Sequence, residues 1–348
     1  MDLIQFIDID ENSRKPKYLQ IVDAVTRNIS LGNFEMDAKM PSINGLSEAF
    51  YLSRDTVEKA YKILKDRKII VSIRGKGYYI VKTELLSKTN ILFLVNKLSS
   101  YKLQIYNAFT NNIGPNSHTE LRVYHCDESL FLSCLEKNLG AYDYYIVMSH
   151  FKNEDSKHVS APAKVISALK KVPKEKLIIL DDFNLGIDGE IVEIYQDFEN
   201  DIYNALMEGF AKISRYQKIV LVYPEKSVYP YPRRIVHGFK KFCIEKSLDF
   251  EILDEVFDDM VLKNGDLFIT IDENDLVNLI HQIRENEFVM GEDIGVLSYN
   301  ETPLKNLLGI SVISTDFKAM GATAAEMILN KTKGRVKNPF HFIDRNSL

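Results

Sequence analysis

Arg54, Asp55 and Thr56, with Lys59 one helical turn further on, follow directly on Ser53, a residue type that caps helices. At a helix start, arginine and short polar side chains can reach base edges in a major groove. The free N–H groups there also favour phosphate. A second cluster, Arg74-Gly75-Lys76-Gly77, joins two cations to two glycines. The glycines allow the backbone to come close, while the cations neutralise phosphates or enter a minor groove. Enzymatic chemistry finds less support. Asp181-Asp182 and Asp258-Asp259 are paired carboxylates, but the seven histidines show neither HxH nor HExxH spacing. A glycine-rich phosphate loop and a GxSxG elbow are both lacking. Cys126, Cys134 and Cys243 have no CxxC spacing, so reduced thiols are expected rather than a disulfide framework or a zinc cluster. The expectation is a non-enzyme with no metal and no cofactor.

The overall charge speaks against a nucleic-acid binder until it is divided along the chain. The 348 residues carry 44 Lys+Arg against 49 Asp+Glu, a net of −5. Residues 1–83 hold 14 basic and 11 acidic groups, a net of +3, and within 39–82 the balance sharpens to 10 against 4. The remaining 265 residues carry −8. A basic segment on an acidic chain fits a local anion-binding module. With 45% hydrophobic and 27% charged residues, disordered, collagen-like and coiled-coil chains are excluded. The length exceeds that of an ordinary domain, so more than one core is expected. No apolar run approaches the ~20 residues of a membrane span. The acidic start does not read as a signal peptide, so a cytoplasmic protein without a membrane partner is expected.

The elements that must position the first clusters can be read from periodicity. Pro16–Gly32 reads as a helix with Tyr18, Ile21, Val22, Val25 and Ile29 on one face and Gly32-Asn33 as its stop. Ser42 caps a short second helix that buries Leu46, Ala49 and Phe50. After a turn at Tyr51-Leu52, Ser53 caps a third, from Arg54 to about Lys68, with Val57, Ala60, Tyr61 and Leu64 inward. Ile69–Ser72 and Tyr78–Val81 flank the glycine cluster as a hairpin. Helix, helix, turn, helix and a basic hairpin make a winged helix-turn-helix over residues 1–82.

Residues 17–81 resemble the DNA-binding domain of the GntR regulator family. The resemblance rests on the opening Tyr-x-Gln-Ile, Met-Pro-Ser before the second helix, Leu-Ser-Arg-x-Thr-Val at the third, and the Arg-Gly-x-Gly-Tyr wing. It implies DNA contacts for Ser42, Ser53, Arg54, Thr56 and Arg74 to Gly77, with Asn44, Asp55 and Lys59 beside them. Asn44 stands where the family often has arginine, and Glu58 where it often has arginine or lysine. Base preference therefore does not carry over, and Asp55 can accept from a cytosine amino group instead. The alternative for Arg54 is a pairing with a neighbouring carboxylate.

Residues 83–89 read as a polar linker. Beyond it, strands at 91–95, 121–125, 144–148, 177–180, 192–195, 218–223, 250–253, 266–271 and 293–298 alternate with helices. The helices fall near 100–112, 128–139, 162–171, 198–213, 231–247, 273–286 and 317–330. Nearly continuous apolar strands between helices mean parallel sheets covered on both faces, with ligands at the strand C-termini. Residues 90–348 thus read as two α/β lobes. They resemble the effector domain of LacI-type repressors and periplasmic sugar-binding proteins. The matching pieces are Ile-Leu-Asp-Asp (179–182), Gln-Asp-Phe-Glu (196–199), Pro-Arg-Arg-Ile-Val-His-Gly-Phe (232–239), Ile-Asp-Glu-Asn-Asp (271–275), the 294–304 loop and Ile-Ser-Thr-Asp-Phe (313–317). Together the halves resemble arabinose-type repressors, a GntR reader fused to a LacI-like sensor.

That resemblance implies a monosaccharide effector held by planar polar side chains and an aromatic ring. The candidates are Asn96, Ser100, Tyr101 and Asp181 from the first lobe, Arg233, Arg234, Asp272 and Asn300 from the second, and Asp197 at the crossover. The family commonly has Asp where Asn300 stands. Arg233 and Arg234 have the alternative of hinge or surface salt bridges, and Asp197 that of tying the hinge. The expected protein is a homodimeric regulator, most simply a repressor, bound to double-stranded operator DNA. A phosphosugar, a non-sugar metabolite or a protein partner for the sensor, and activation instead of repression, remain open alternatives.

Overall fold

The computed structural model describes residues 3–11, 13, 15–30, 33–67, 69–81, 89–225 and 227–348. The chain divides into two compact units, Met1–Thr89 and Asn90–Leu348. Gly32 and Lys68, read as helix ends, and the linker apart from Thr89 lie outside the described residues.

In the first unit, helices α1 (Lys17–Ser30), α2 (Ile43–Ala49) and α3 (Arg54–Asp66) precede an antiparallel hairpin of β1 (Ile70–Ile73) and β2 (Gly77–Ile80), in register from Ile70 with Ile80 to Ile73 with Gly77. Val57, Ala60, Tyr61 and Leu64 turn the inner face of α3 onto Ile21, Val22 and Val25 of α1. Burial of each large side chain here stabilises by about 1.5–3 kcal/mol. Tyr61 stacks on Tyr78 with ring centroids 4.8 Å apart, and its hydroxyl donates to the Pro41 carbonyl at 2.6 Å, so α3, the hairpin and the α2 entry are tied together. Ala49 is exposed rather than part of the buried face of α2. Leu3 and Ile7 also enter this core, and Asn28 Nδ2 donates to the Phe6 carbonyl at 2.7 Å.

The second unit runs β3 (Thr89–Val95), α4 (Ser100–Ile113), β4 (Ser117–Val123), α5 (Glu128–Glu136), β5 (Tyr144–Met148), the small hairpin β6 (Phe151–Lys152) and β7 (His158–Val159), α6 (Ala163–Leu169), β8 (Leu177–Asp181) and β9 (Val192–Tyr195). It continues through α7 (Phe198–Glu208), α8 (Phe210–Ile213), β10 (Lys218–Val222), α9 (Arg234–Glu245), β11 (Asp249–Leu253), β12 (Asp266–Thr270), α10 (Glu273–Glu285), β13 (Gly295–Tyr299), α11 (Pro303–Leu307) and β14 (Ser311–Thr315). It ends with α12 (Phe317–Leu329), β15 (Gly334–Lys337) and β16 (Phe340–Ile343).

Two six-stranded sheets result, ordered β4-β3-β5-β8-β9-β15 and β11-β10-β12-β13-β14-β16. In each, the second strand of the lobe lies outside the first and the third lies inside it. Both lobes therefore share one doubly wound order, with the switch point beside the first strand. The chain changes lobe three times. Phe198 of α7 joins the second-lobe core, Phe317 of α12 returns to the first, where β15 pairs with β9, and β16 then closes the second sheet antiparallel to β14. Close helix contact fixes the second return: a Cβ on Gly321 of α12 would stand 2.2 Å from the Ile105 carbonyl of α4.

Several expected bounds shift. The strand expected at 121–125 lies at Ser117–Val123, because His125 and Cys126 both take left-handed φ, 52° and 56°, and turn the chain out of the sheet. The strand expected at 293–298 starts at Gly295, since Asp293 is held in a turn by its N–H bond to the Val289 carbonyl. The single helix expected over 198–213 is divided at Gly209, where a Cβ would stand 2.7 Å from the Phe342 ring. The helix expected from 231 starts at Arg234, after two prolines in the preceding loop. Strands β14, β15 and β16 were not anticipated.

Candidate nucleic-acid interface and ligand cleft

On the winged unit, Ser53 Oγ accepts from the Thr56 N–H at 3.2 Å and Ser42 Oγ from the Gly45 N–H at 2.9 Å. Each hydroxyl thus sets a helix start, and the Ser42 proton stays available to an external acceptor. Asn44, Arg54, Asp55 and Lys59 are exposed, and Thr56 is half-buried with its hydroxyl 2.8 Å from Ser53 Oγ. Arg54 reaches Glu58 at 3.8 Å, both side chains being largely exposed. Such a pair contributes roughly 0–1 kcal/mol and yields to a phosphate or guanine. Lys59 lies over the Tyr18 ring at 4.0 Å. Arg74 and Lys76 are exposed without an ion-pair partner among the described residues, on a turn made by Gly75 (φ 74°) and Gly77 (φ 108°).

In the second unit, the strand C-termini of both lobes converge on one cleft with about 490 Å³ of empty space, its open mouth included. Asn96 and Lys97 follow β3, His150 follows β5, Asp181 ends β8 and Gln196 follows β9. From the other lobe come Tyr229 to Pro232 after β10, Tyr299 and Asn300 at the end of β13, and Phe317 after β14. Tyr101 of α4 stacks on Phe317 at 5.1 Å and supplies a flat apolar wall. An adjoining recess is lined by Ser99, Asp272, Thr302 and Lys305 and shares Lys97, Tyr101, Tyr231, Tyr299 and Asn300.

The cleft floor is a closed network around Asp181, which is 2% exposed. Lys102 Nζ and Gln196 Nε2 donate to its carboxylate, and His150 Nε2 lies 3.2 Å from it. Burial opposes the charge on Asp181, but Lys102 and His150 outweigh it and hold the carboxyl well below its usual range. His150 Nδ1 lies 2.8 Å from His158 Nε2, and burial with the positive field of His150 and Arg234 lowers the His158 pKa to about 2. Burial raises the Tyr101 phenol to about 12 and those of Tyr231 and Tyr299 further, so all three remain hydrogen-bond donors. Lys305 donates to the carbonyls of Tyr299 at 2.8 Å and Asn300 at 2.9 Å. Against this saturated floor, Asn96 Oδ1, Asn300 Oδ1 and the Tyr299 hydroxyl are buried with no hydrogen-bond partner. Orphaned polar atoms converging in a concave aromatic site await ligand groups that bond to them.

Of the nine expected effector residues, the structure brings Asn96, Tyr101, Asp181 and Asn300 into the cleft and Asp272 into the recess. Four lie elsewhere. Ser100 is exposed on the first turn of α4, and its neighbour Ser99 faces the recess. Asp197 caps α7, bonding the backbone and side chain of Asn200. Arg233 is exposed beside Glu225 at 3.7 Å, a surface salt bridge. Arg234 joins the lobes through Asp182 at 3.1 Å without lining the cleft. Sequence reasoning missed Lys97, Lys102, His150, Gln196, Tyr229, Tyr231, Tyr299 and Phe317. Lys97, His150 and Gln196 stand within two residues of the end of an apolar strand, a position that could have singled them out.

Residues 17–80 match the model of the family described as bacterial regulatory proteins, gntR family. Over 74 residues the chain is 36% identical to the HTH-type transcriptional repressor YtrA of Bacillus subtilis, which amounts to 21% of this chain and 57% of YtrA. Over 66 residues it is 35% identical to the mannosyl-D-glycerate transport/metabolism system repressor MngR of Escherichia coli, 19% of this chain and 28% of that one. The chain thus spans little more than half of one curated relative and about a quarter of the other. The second unit resembles solved structures at low identity. The lactose repressor bound to the anti-inducer ONPF superposes with a TM-score of 0.57 at 16% identity, over 74% of this chain and 99% of that one. A LacI family regulator from Lactobacillus casei with bound glucose gives 0.57 at 16%, over 74% and 99%. A periplasmic binding protein/LacI regulator from Alkaliphilus metalliredigens complexed with D-xylulofuranose gives 0.55 at 14%, over 74% and 98%. No helix among the described residues is long and apolar enough to cross a membrane. Residues 17–80 are therefore a GntR-type winged helix, carried in one chain with a two-lobed unit that has the fold of LacI-type regulators and periplasmic binding proteins.

Proposed function

We propose that this protein is a one-component transcriptional regulator. In this reading the winged unit binds double-stranded operator DNA, and the cleft of the second unit binds a monosaccharide effector that controls it. The carrying observation is the set of orphaned Asn96 Oδ1, Asn300 Oδ1 and Tyr299 hydroxyl groups beside the Tyr101–Phe317 stack, in a chain whose other unit is a GntR-type reader. Two acceptors and a phenol suit sugar hydroxyls, and a stacked aromatic pair suits the apolar face of the ring. Ser42, Asn44, Ser53, Arg54, Asp55, Thr56, Lys59 and the wing from Arg74 to Gly77 form the DNA-contacting set. A homodimer would place two readers on a pseudo-palindromic site. Repression of a carbohydrate-utilisation operon, from a cytoplasmic location, follows as the simplest mode. The effector acts by its differential affinity for two arrangements of the lobes.

The test is a gel-shift titration on DNA upstream of the chain's own operon, with and without monosaccharides. Binding in the nanomolar range, shifted at least fivefold by one sugar, is the expected result. Arg54→Glu should abolish the DNA shift while calorimetry finds sugar binding intact. If every sugar that binds leaves DNA affinity unchanged at saturation, the coupling fails; if none binds, the sensor reading fails.

A further inference from the structure

Lys97 stands out among the cations of the second unit. It follows β3, and its Nζ lies 5.5 Å from the ring centres of Tyr101 and Tyr229 and 5.0 Å from that of Tyr231. The other cations around the cleft are already committed. Lys102 is bound to Asp181, Arg234 to Asp182, and Lys305 to two backbone carbonyls. Lys97 alone of these four forms neither an ion pair nor a hydrogen bond among the described residues. Tyr231 donates to Asp272 at 3.3 Å, so one carboxylate of the recess is held by a phenol.

Rings compensate an ammonium only in part, by roughly 0.5–2 kcal/mol where it is desolvated. A charge withdrawn from water without a counter-charge is disfavoured by more than that. Consistent with this, burial lowers the pKa of Lys97, and the fields of Asp272 and Glu273 offset the effect incompletely. The site thus supplies hydrogen-bonding atoms for neutral hydroxyls and, on the wall of the same cleft, a cation with no ion-pair or hydrogen-bond partner among the described residues.

We infer that the effector is an anionic monosaccharide, whose carboxylate or phosphate oxygens pair with Lys97 Nζ while Asn96, Tyr299 and Asn300 hold its hydroxyls. The inference rests on the reading of the cleft as a monosaccharide site. It narrows the class to sugar acids and sugar phosphates, which present the same oxyanion to Lys97.

The experiment uses the full chain and a panel of neutral pentoses, hexoses and 6-deoxyhexoses with their aldonates, uronates and monophosphates. Ligands are detected by thermal-shift and quantified by calorimetry. The expected strongest ligand is an acidic or phosphorylated member, and the carboxylate and phosphate arms of the panel distinguish the two sources. Lys97→Met should weaken that ligand about 10- to 100-fold, the loss of one charge-assisted hydrogen bond, and Lys97→Arg should restore part of it. Methionine fits among the three rings, so Lys97→Met should unfold no earlier than the native chain, and an intact melt separates lost recognition from lost folding. A neutral sugar as the strongest ligand would overturn the inference and leave the monosaccharide reading standing. An anionic ligand unaffected by Lys97→Met would likewise overturn it. Failure of every member of the panel to bind would overturn both.

Discussion

His158 offers the most quantitative handle on the cleft floor. Its Nε2 lies 2.8 Å from His150 Nδ1, and burial above all, then His150, Arg234 and Lys102 against the opposing Asp181, lowers its pKa from 6.5 to about 2. A folded-state pKa depressed below the unfolded value means that the native state binds fewer protons than the unfolded chain. The favourable contribution is therefore complete above the unfolded pKa and is lost as pH falls below it. At pH 5 the unfolded ring is protonated and the native one is not. The gap of 1.5 units below 6.5 corresponds to about 2 kcal/mol of stability lost between pH 7.5 and 5 through this one group. His158→Gln keeps a hydrogen-bonding side chain but removes the titration. Urea unfolding of both proteins, followed by far-ultraviolet circular dichroism at pH 7.5 and 5.0, isolates the effect as a double difference. The native chain should lose about 2 kcal/mol more than the variant between the two pH values. Equal losses would show that the ring takes up its proton without unfolding, and the closed network around Asp181 would be refuted.

Two predictions concern packing and backbone. Gly321→Ala should destabilise the second unit by about 3 kcal/mol, because the new Cβ would meet the Ile105 carbonyl at 2.2 Å and part α12 from α4. The intrinsic helix gain of alanine, about 1 kcal/mol, acts in the opposite direction, so a melting temperature at or above the native one would refute the contact. Tyr51, 94% exposed in the turn before α3, holds a left-handed φ of 50°, so Tyr51→Gly should raise the stability of the winged unit by about 0.5–1 kcal/mol. A fall in its unfolding midpoint would show that the phenol ring makes a contact worth more than the strain.

What the sequence made legible follows the range of the forces involved. The caps at Ser42 and Ser53 and the stripe of Val57, Ala60, Tyr61 and Leu64 act within a few residues, and α2 and α3 lie where those signals place them. Strand β5 is an almost fully buried apolar run, β9 alternates Val192 and Ile194 with Glu193 and Tyr195, and both were read with their observed ends. Strand β14, Ser-Val-Ile-Ser-Thr, is fully buried, but three of its five residues are hydroxyl-bearing and gave no apolar run. Strands β15 and β16 exist because the chain returns to pair with strands some 140 and 30 residues earlier, which local patterning does not encode. In the cleft, the chemistry was legible and the angle was not. Arg233 caps α9 and Arg234 is its first residue, and the turn of the backbone between them sends one side chain to solvent and the other to Asp182. Ser99 and Ser100 stand likewise on either side of the start of α4, one facing the recess and the other solvent.

The distribution of charge within the cleft bears on how binding could be felt beyond it. Asp181 has the acceptor chemistry a sugar needs, yet Lys102, His150 and Gln196 already occupy it, which makes it an anchor of the floor. The lobes are joined nearby by Arg234 with Asp182, by Lys337 with Asp201 at 2.9 Å and by His125 with Tyr229 at 2.9 Å. In the first two pairs a buried carboxylate meets a partly exposed cation across the lobes. Opening the cleft would leave Asp182 and Asp201 at the lobe surface, where water can replace the cation. Such pairs contribute little net stability to the closed arrangement, but a carboxylate that stayed buried without its cation would be strongly disfavoured. They therefore favour two discrete arrangements over a continuum, and a ligand that fills Asn96, Tyr299 and Asn300 at once selects between them by binding only where both lobes reach it. A double variant, Arg234→Met with Asp182→Leu, removes one pair without stranding a charge. Methionine and leucine would bury apolar surface only where the lobes meet, so under the proposed regulator reading DNA affinity without sugar should shift toward the value that the native chain shows with saturating sugar, and an unchanged affinity would refute the role of the pair.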